Sequence, residues 1–417
     1  MNIQGSIPSP DSPEISIVIP CLNEARSIGY VVRRAWEALG TMGVPGEVIV
    51  ADNGSTDGSV EIACAEGARV IHVPFRGYGS ALRGGIEAAR GRYIVIGDAD
   101  GSYDFGETPK LIARLQEGCD LVIGSRFLGT ILPGAMRWTS RIGNPLVTGL
   151  LNRLFNLRMT DSQSGMRAFT REAYDRLHLQ STGMEFASEM LIQAARAGLR
   201  IAEVPITFHP DQRGRPPHLH PIRDGWRHLK LMLTYSPTVL FLIPGGILMG
   251  LGLMLMGSQL LAPMEQPLYL GPVRMDFHWA ILGSLLTLSG YQVIQAHFLA
   301  RIYSVTHRFQ EPDRLLEIGF RILTAERVLL ISLMAILAGL GINAWVLYDW
   351  IAHGYGALVS GHTRAVIFGS TLIALGLQSF FHAFLFSLLG DAYKRQRPDA
   401  RFSGNPDAAP IITADKQ

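Results

Sequence analysis

Charge is scarce in this sequence, and the scarcity is uneven. Of 417 residues 17% are charged and 48% hydrophobic, an apolar balance for a chain that stays in water. Before about residue 235 charges are frequent. After it come four runs with none, Leu231–Met264, Phe277–Ala300, Val328–Tyr348 and Ala365–Gly390. Each is long enough to cross a ~30 Å hydrocarbon core at 1.5 Å per residue. Buried helices of a soluble protein rarely stay charge-free four times over, so the runs predict four transmembrane helices, at about 237–262, 277–300, 328–350 and 365–390. They contain neutral polar residues such as Gln292, Gln295, Gln378 and His382 but lack the intramembrane charges that ion-coupled transport uses. That argues against a transporter or flippase with an attached regulatory domain.

Cysteine is scarce too. Cys21, Cys64 and Cys119 are odd in number and lack metal-site spacing, so reduced structural thiols in a cytosolic compartment are expected. The stretch 1–13 has no basic start followed by an apolar run, so it reads as a loose tail rather than a secretory signal. The net charge is only +2, which gives no reason to expect a nucleic-acid partner, but the cations are placed selectively. Arg213, Arg215, Arg223, Arg227 and Lys230 precede the first span. Arg301, Arg308, Arg314, Arg321 and Arg327 lie between the second and third, and Lys394, Arg395, Arg397 and Arg401 follow the fourth. The other two loops carry only Arg274 and Arg364. By the positive-inside rule, both termini (including the tail 391–417) and the middle loop face the cytoplasm, with the plasma membrane as the expected site. Oligomeric state is left open.

In the charged half, Ile15–Pro20 is a β-branched run of the kind found in strands buried on both faces. A polar turn leads to a helical pattern through about Leu39; Gly46–Asp52 reads as a second strand and Ser59–Glu66 as a second helix. The alternation continues through Ala68–Val73, Gly79–Arg90, Tyr93–Asp98, Thr108–Glu117 and Leu121–Gly124, and then stops. Strand and helix at short spacing predict a mostly parallel α/β sheet with helices on both faces, whose ligands bind beyond the carboxyl ends of the strands. There stand Asn23 and Glu24, Asp52 with Asn53, Arg76, Asp98 with Asp100, and Arg126. Asp98-Ala-Asp100 follows an apolar strand, and residues two apart on extended chain point to one side, so both carboxylates can reach one hard cation. An isolated acidic turn would read the same; the polar ring around it favours the cation.

Asp52 closes its strand where a carboxylate can accept from a base N–H, while Asp57 suits a helix cap. Arg76-Gly-Tyr-Gly-Ser-Ala-Leu-Arg-Gly-Gly85 raises a dinucleotide fold, but Leu82 stands where the motif needs glycine and the strand is the third, not the first. Gly124-Ser-Arg126 and Asp161-Ser-Gln-Ser-Gly-Met-Arg167 place two arginines in strand-adjacent loops, the second in a polar turn, where a planar donor fork suits phosphate. Glu185 and Glu189 share a helix face, so one could orient an acceptor while the other packs. Glu203–Phe208 reads as a closing strand.

Taken in order, Pro20-Cys-Leu-Asn-Glu24, Asp52-Asn-Gly-Ser-Thr-Asp57, Asp98-Ala-Asp100, Gly124-Ser-Arg126, Ser164-Gly-Met-Arg167 and Glu203-Val-Pro205 resemble the inverting GT-A glycosyltransferases of the dolichyl-phosphate mannose and glucose synthase type. The resemblance covers roughly 14–210. It implies a GT-A, Rossmann-like domain over 14–212; beyond it, the residue pattern predicts a linker and interfacial helix over 213–236, and the charge-free runs an α-helical four-span membrane domain over 237–390. The resemblance also implies a nucleotide-sugar donor, GDP-mannose or UDP-glucose, and a polyprenyl or dolichyl phosphate acceptor. The donor site would comprise Pro20, Leu22, Asn23, Glu24, Asp52, Asn53, Arg76, Asp98, Ala99 and Asp100. Mg²⁺ or Mn²⁺ would sit on Asp98 and Asp100, and Arg126, Ser164, Arg167, Arg213 and Arg215 would hold the acceptor phosphate. Asp98, Asp100, Arg126 and Arg167 would form the catalytic set.

Three departures stand out. Asn53 replaces the second acid of the usual Asp-Asp-Gly-Ser, Ser102 stands where some relatives have a third metal ligand, and Gly134 replaces the Gln of the processive Gln-x-x-Arg-Trp motif before Arg137-Trp138. No Ser/His/Asp or Cys/His pair and no obvious His base accompany the strand-end loops. That suits a phosphate acceptor, which is already anionic at a second pKa near ~6. His209, His218 and His220 in a Pro-rich stretch read as surface imidazoles. Ile222–Tyr235 mixes Trp226, Leu229, Leu231 and Leu233 with Arg223, Arg227, His228 and Lys230, the pattern of a helix lying among membrane lipid headgroups; the Arg-rich loop 301–327 is a second such candidate. Gly245, Gly246, Gly250 and Gly252 suggest close helix packing.

Overall fold

The computed structural model describes residues 13–214, 221–261, 268–270, 272–306 and 324–396. Arg215, His218, His220 and most of the Arg-rich loop fall outside the described residues. The chain divides into two compact units, one ending at Ser236 and one beginning at Pro237.

The first unit alternates as its apolar runs demand: β1 (Ile15–Cys21), α1 (Ile28–Met42), β2 (Gly46–Asp52), α2 (Ser59–Ala65), β3 (Arg69–His72), α3 (Tyr78–Ala88), β4 (Tyr93–Ile96), α4 (Thr108–Gln116) and β5 (Leu121–Ile131). Then follow α5 (Trp138–Phe155), β6 (Arg167–Thr170), α6 (Arg171–Asp175), α7 (Phe186–Arg196), β7 (Ile201–Phe208) and α8 (Pro221–Thr234). The seven strands lie in the order β3-β2-β1-β4-β6-β5-β7. Every pairing is parallel except those of β6, which runs antiparallel to β4 and β5. β1 is buried on both faces. Ile15, Ile17, Ile19 and Cys21 join a core with Ile28, Val32 and Leu39 of α1 and Leu111 of α4. On the other face α3 comes so close that a Cβ on Gly85 would lie 2.5 Å from a Val18 methyl.

The stretch between Gly124 and Gly183, read as the end of the alternation, holds α5 and β6. Neither announces itself by an inward apolar stripe. On α5 the large apolar residues Trp138, Ile142 and Leu146 are exposed, and β6 spans only four residues. Arg167 was expected in a polar turn. It opens β6 instead, opposite Ile96 of β4 and Ile123 of β5.

In the second unit a π-helical turn (Thr238–Leu242) leads into α9 (Ile243–Leu260), a short hairpin of β8 (Leu268–Leu270) and β9 (Val273–Met275), then α10 (Phe277–Thr306), α11 (Ala325–Ala352) and α12 (Ser360–Gln396). Among the described residues three helical segments are long and apolar enough to cross a membrane: Thr238–Leu260, Ala325–Ala352 and Ser360–Leu389. α10, at 30 residues, has the length, but His278, Gln292, Gln295, His297 and Arg301 dilute its apolar character. Small residues let α9 and α10 touch. A Cβ on Gly252 would lie 2.4 Å from the Thr287 nitrogen, and one on Gly245 3.0 Å from the Gly290 carbonyl. Gly246 and Gly250 have open space instead. Two side-chain bonds, Ser284–Thr371 at 2.7 Å and Tyr291–Ser379, join α10 to α12.

Candidate active site

The loops after β1 and β2 interlock. Asn23 adopts the left-handed conformation (φ 56°), which Asn tolerates better than most residues. Its Oδ1 accepts from the Thr56 N–H at 2.8 Å, while its own N–H donates to Ser55 Oγ at 2.9 Å. The Glu24 N–H donates to buried Ser59 Oγ at 2.8 Å. Pro20 lies on β1 opposite Ala51, and Leu22 is half-buried in the turn that follows. Asp52 is buried and accepts from the N–H groups of Ser55 and Gly54, each at 3.1 Å, with the His72 ring 3.3 Å away. Burial alone would raise its carboxyl, but these bonds outweigh it and hold it below the usual carboxylate range.

Asn53 explains its own departure from the acidic pattern. Its Nδ2 donates to the carbonyls of Val73 (3.1 Å) and Phe75 (2.8 Å), and its Oδ1 accepts from the Gly77 N–H at 2.6 Å. A carboxylate has no hydrogen to offer those carbonyls. The side chain is committed to shaping the 73–77 loop, which carries exposed Arg76 beside Gly54.

Asp98 and Asp100 follow β4, with Ala99 buried between them. Asp98 Oδ1 accepts from Tyr78 Oη at 2.8 Å, and a Cβ on Gly165 would lie 2.7 Å from its Oδ2, so any side chain there would push on the carboxylate. Burial, with the neighbouring Asp100 charge, pushes the Asp98 carboxyl up to about 6. Asp100 is buried; its Oδ1 accepts from the Ser102 N–H at 2.9 Å, and its Oδ2 pairs with Arg213. Arg213 also lies 3.6 Å from Glu24 Oε1. Among the described residues no three His, Cys, Asp or Glu side chains form a metal cluster. Two carboxylates, one already holding a guanidinium as a stand-in cation, nonetheless fit a hard divalent ion that completes its shell with phosphate oxygens and water.

The strand-end arginines turn inward. Arg126 forms a fork with buried Asp161, Nε to Oδ2 at 2.7 Å and Nη2 to Oδ1 at 2.8 Å, and its charge helps to lower the Asp98 carboxyl against burial. Arg167 is fully buried and donates to three carbonyls, Ser164 (2.9 Å), Ala187 (2.7 Å) and Ser162 (2.8 Å). Burial pulls it down to about 10, still charged at neutral pH. Ser164 is also inside, its hydroxyl donating to the Gly124 carbonyl at 2.6 Å. Asp98, Asp100, Arg126 and Arg213 therefore converge, whereas Arg167 and Ser164 build the wall behind them. Glu189 packs: buried, it accepts from the Ser181 N–H at 2.8 Å and Tyr235 Oη at 2.9 Å. Sequence reasoning missed Tyr78 and Asp161. A hydroxyl reaching a carboxylate 20 residues on, and an acid paired 35 residues back, leave no local pattern.

The mostly parallel sheet with helices on both faces is the fold of a glycosyltransferase of the GT-A type. Residues 16–177 match Glycosyl transferase family 2, and residues 298–390 match the Glycosyltransferase family 2 C-terminal transmembrane region. The low-salt glycan biosynthesis hexosyltransferase Agl6 of Haloferax volcanii is 37% identical over 387 residues, 91% of this chain and 90% of its own. The chain belongs to glycosyltransferase family 2 and is a membrane-associated member of it. A dolichyl-phosphate hexose transferase of the same organism is 33% identical over 51% of this chain and 89% of its own. A crystal structure of glucosyl-3-phosphoglycerate synthase from Mycobacterium tuberculosis, with Mn²⁺, UDP and phosphoglyceric acid, aligns over 53% of this chain and 76% of that one at 26% identity and a TM-score of 0.42.

Proposed function

We propose that this enzyme moves a hexose, mannose or glucose, from GDP-mannose or UDP-glucose to a polyprenyl or dolichyl phosphate, with inversion at the anomeric carbon. The observation that carries the reading is the pair Asp98 and Asp100 at the carboxyl edge of the sheet, with a cation already drawn to Asp100. The likeness to a dolichyl-phosphate hexose transferase supports the acceptor. In this reading Asp98 and Asp100 hold Mg²⁺ or Mn²⁺, which when bound would offset charge on the departing diphosphate. The loop Pro20–Glu24, with Asp52, Asn53 and Arg76, forms the nucleotide side. Arg213, and Arg215 beside it in sequence, attract the acceptor phosphate, while Arg126, braced by Asp161, adds its positive field. The phosphate monoester, its second pKa near ~6, arrives as an anion. Its oxygen attacks the sugar from the face opposite the diphosphate and needs no protein base.

The membrane supplies such an acceptor, and α8 suits the boundary where its phosphate lies. Arg223, Trp226, Arg227 and Lys230 are exposed on it, cations and an indole that favour anionic headgroups. α5, packed against α8, adds exposed Trp138, Ile142 and Leu146. In this reading α10 is the fourth crossing, the catalytic unit and both termini are cytoplasmic, and the membrane is the plasma membrane.

The test is transfer of radiolabel from each nucleotide sugar into organic-extractable polyprenyl phosphate by full-length protein in membranes. Asp100→Ala and chelation should each abolish labelling. Undiminished labelling by Asp100→Ala with chelator present would sink the reading.

A further inference from the structure

α8 carries polar groups on the side a surface helix ordinarily fills with leucine. Asp224, His228, Met232 and Tyr235 are buried against α5 and α7. A buried imidazole is costly unless bonded, and this one is bonded directionally. His228 Nδ1 lies 2.8 Å from Ser188 Oγ on α7. That hydroxyl also accepts from Gln163 Nε2 at 3.1 Å, which leaves its own proton available to the Nδ1 of a neutral ring. Burial favours that neutral form, against the opposing pull of Glu185 and Asp224, and Arg167 adds to the downward shift. Gln163 Nε2 also donates to Ser162 Oγ at 2.9 Å, and Thr148 Oγ1 of α5 accepts from the Ser162 N–H at 3.1 Å.

The bonds converge on the turn Asp161–Gly165, which borders Asp98. Asp161 fixes the Arg126 fork, Ser162 and Ser164 anchor Arg167, and Gly165 lies against Asp98. Gln163 is the member of the turn that reaches toward α7, and Ser188 passes its bond on to α8.

We propose that His228 is a positioning residue for the transfer reaction: through Ser188 and Gln163 it fixes the Asp161–Gly165 turn, and with it Arg126 and the wall beside Asp98. This rests on the function proposed above. It makes α8 part of the catalytic apparatus as well as a headgroup-facing helix.

The test uses full-length protein in lipid nanodiscs, with two readouts: kcat/KM for polyprenyl phosphate, and amide hydrogen exchange over 161–165. His228→Leu, apolar and without an acceptor, should lower kcat/KM about tenfold, the scale of one buried hydrogen bond, and speed exchange in the turn. His228→Asn, whose Oδ1 can accept the Ser188 proton, should restore both. Ser188→Ala removes the same bond with a smaller volume change, so the test survives if His228→Leu does not fold. The double variant Ser188→Ala/His228→Leu should be no worse than either single one. The proposal is overturned if Ser188→Ala leaves exchange and kinetics unchanged, if His228→Asn is as impaired as His228→Leu, or if the two effects add. Should the wild type transfer no sugar to any polyprenyl phosphate, the functional reading fails, and the exchange pattern alone then decides the relay.

Discussion

Asn53→Asp changes one atom type and should cost more than most surface substitutions. The native carboxamide gives two hydrogens to the carbonyls of Val73 and Phe75 and receives one from Gly77. Aspartate keeps the acceptor and loses both donors, setting an anionic oxygen against two carbonyl oxygens at a position only 5% exposed. Two bonds at ~1 kcal/mol each, with part of the penalty for burying unpaired polar groups, give about 2–3 kcal/mol. For a unit of this size that is a fall in Tm of roughly 5–10 °C, measurable by intrinsic fluorescence on the full-length protein in detergent. The pH dependence has a definite sign. Burial and the facing carbonyls would raise the new carboxyl above its unfolded value, so protonation favours the folded state and restores one donor. The deficit should shrink as pH falls through that raised value and be largest at pH 8. Equal Tm for variant and wild type, or a deficit that grows on acidification, would refute the assignment of Asn53 as the brace of the 73–77 loop.

Two further outcomes follow from the ion pairs. Asp161→Ala leaves Arg126 buried without its fork, so it should destabilise the protein by about 3–5 kcal/mol, read by the same melts; a loss below 1 kcal/mol would contradict the pairing. Asp104 is held below the usual carboxylate range, burial being outweighed by bonds from Arg34 (Nε at 3.0 Å, Nη2 at 2.9 Å) and from the Gly106 N–H. Its contribution is fully present above the unfolded value near ~3.9 and lost as pH falls through the lower folded one. Wild type and Asp104→Asn should therefore differ by a constant amount above pH about 5 and converge in stronger acid; a gap that widens there would contradict it.

What the sequence made legible was whatever repeats locally. β1, β2 and β4 are β-branched runs, and the acids follow where such runs end, so the carboxyl edge of the sheet could be placed from the residues alone. Three features stayed hidden, two of them because they depend on partners far along the chain. Arg126 and Arg167 carry the charge expected near phosphate, yet their partners, Asp161 and the carbonyls of Ser162, Ser164 and Ala187, turn them inward. Asn53 read as a weakened acid because nothing nearby shows that it faces carbonyls. α5 and β6 escaped notice because the helix exposes Trp138, Ile142 and Leu146 rather than burying them, and the strand is shorter than a period can register. In the membrane half, composition separated apolar from polar segments well. It could not say that Gly245 and Gly252 meet a neighbour while Gly246 and Gly250 do not, since that depends on how two helices are rotated.

The antiparallel strand β6 has a consequence for the order in which the protein is made. Its partners β4 and β5 precede it, and β7 completes the sheet at Phe208. The first long apolar helix, α9, begins only at Ile243. Domains tend to fold in order as they are synthesised, so every strand of the catalytic sheet is made before that helix. The catalytic sheet can therefore close while α9 and the long apolar helices after it are still to be made.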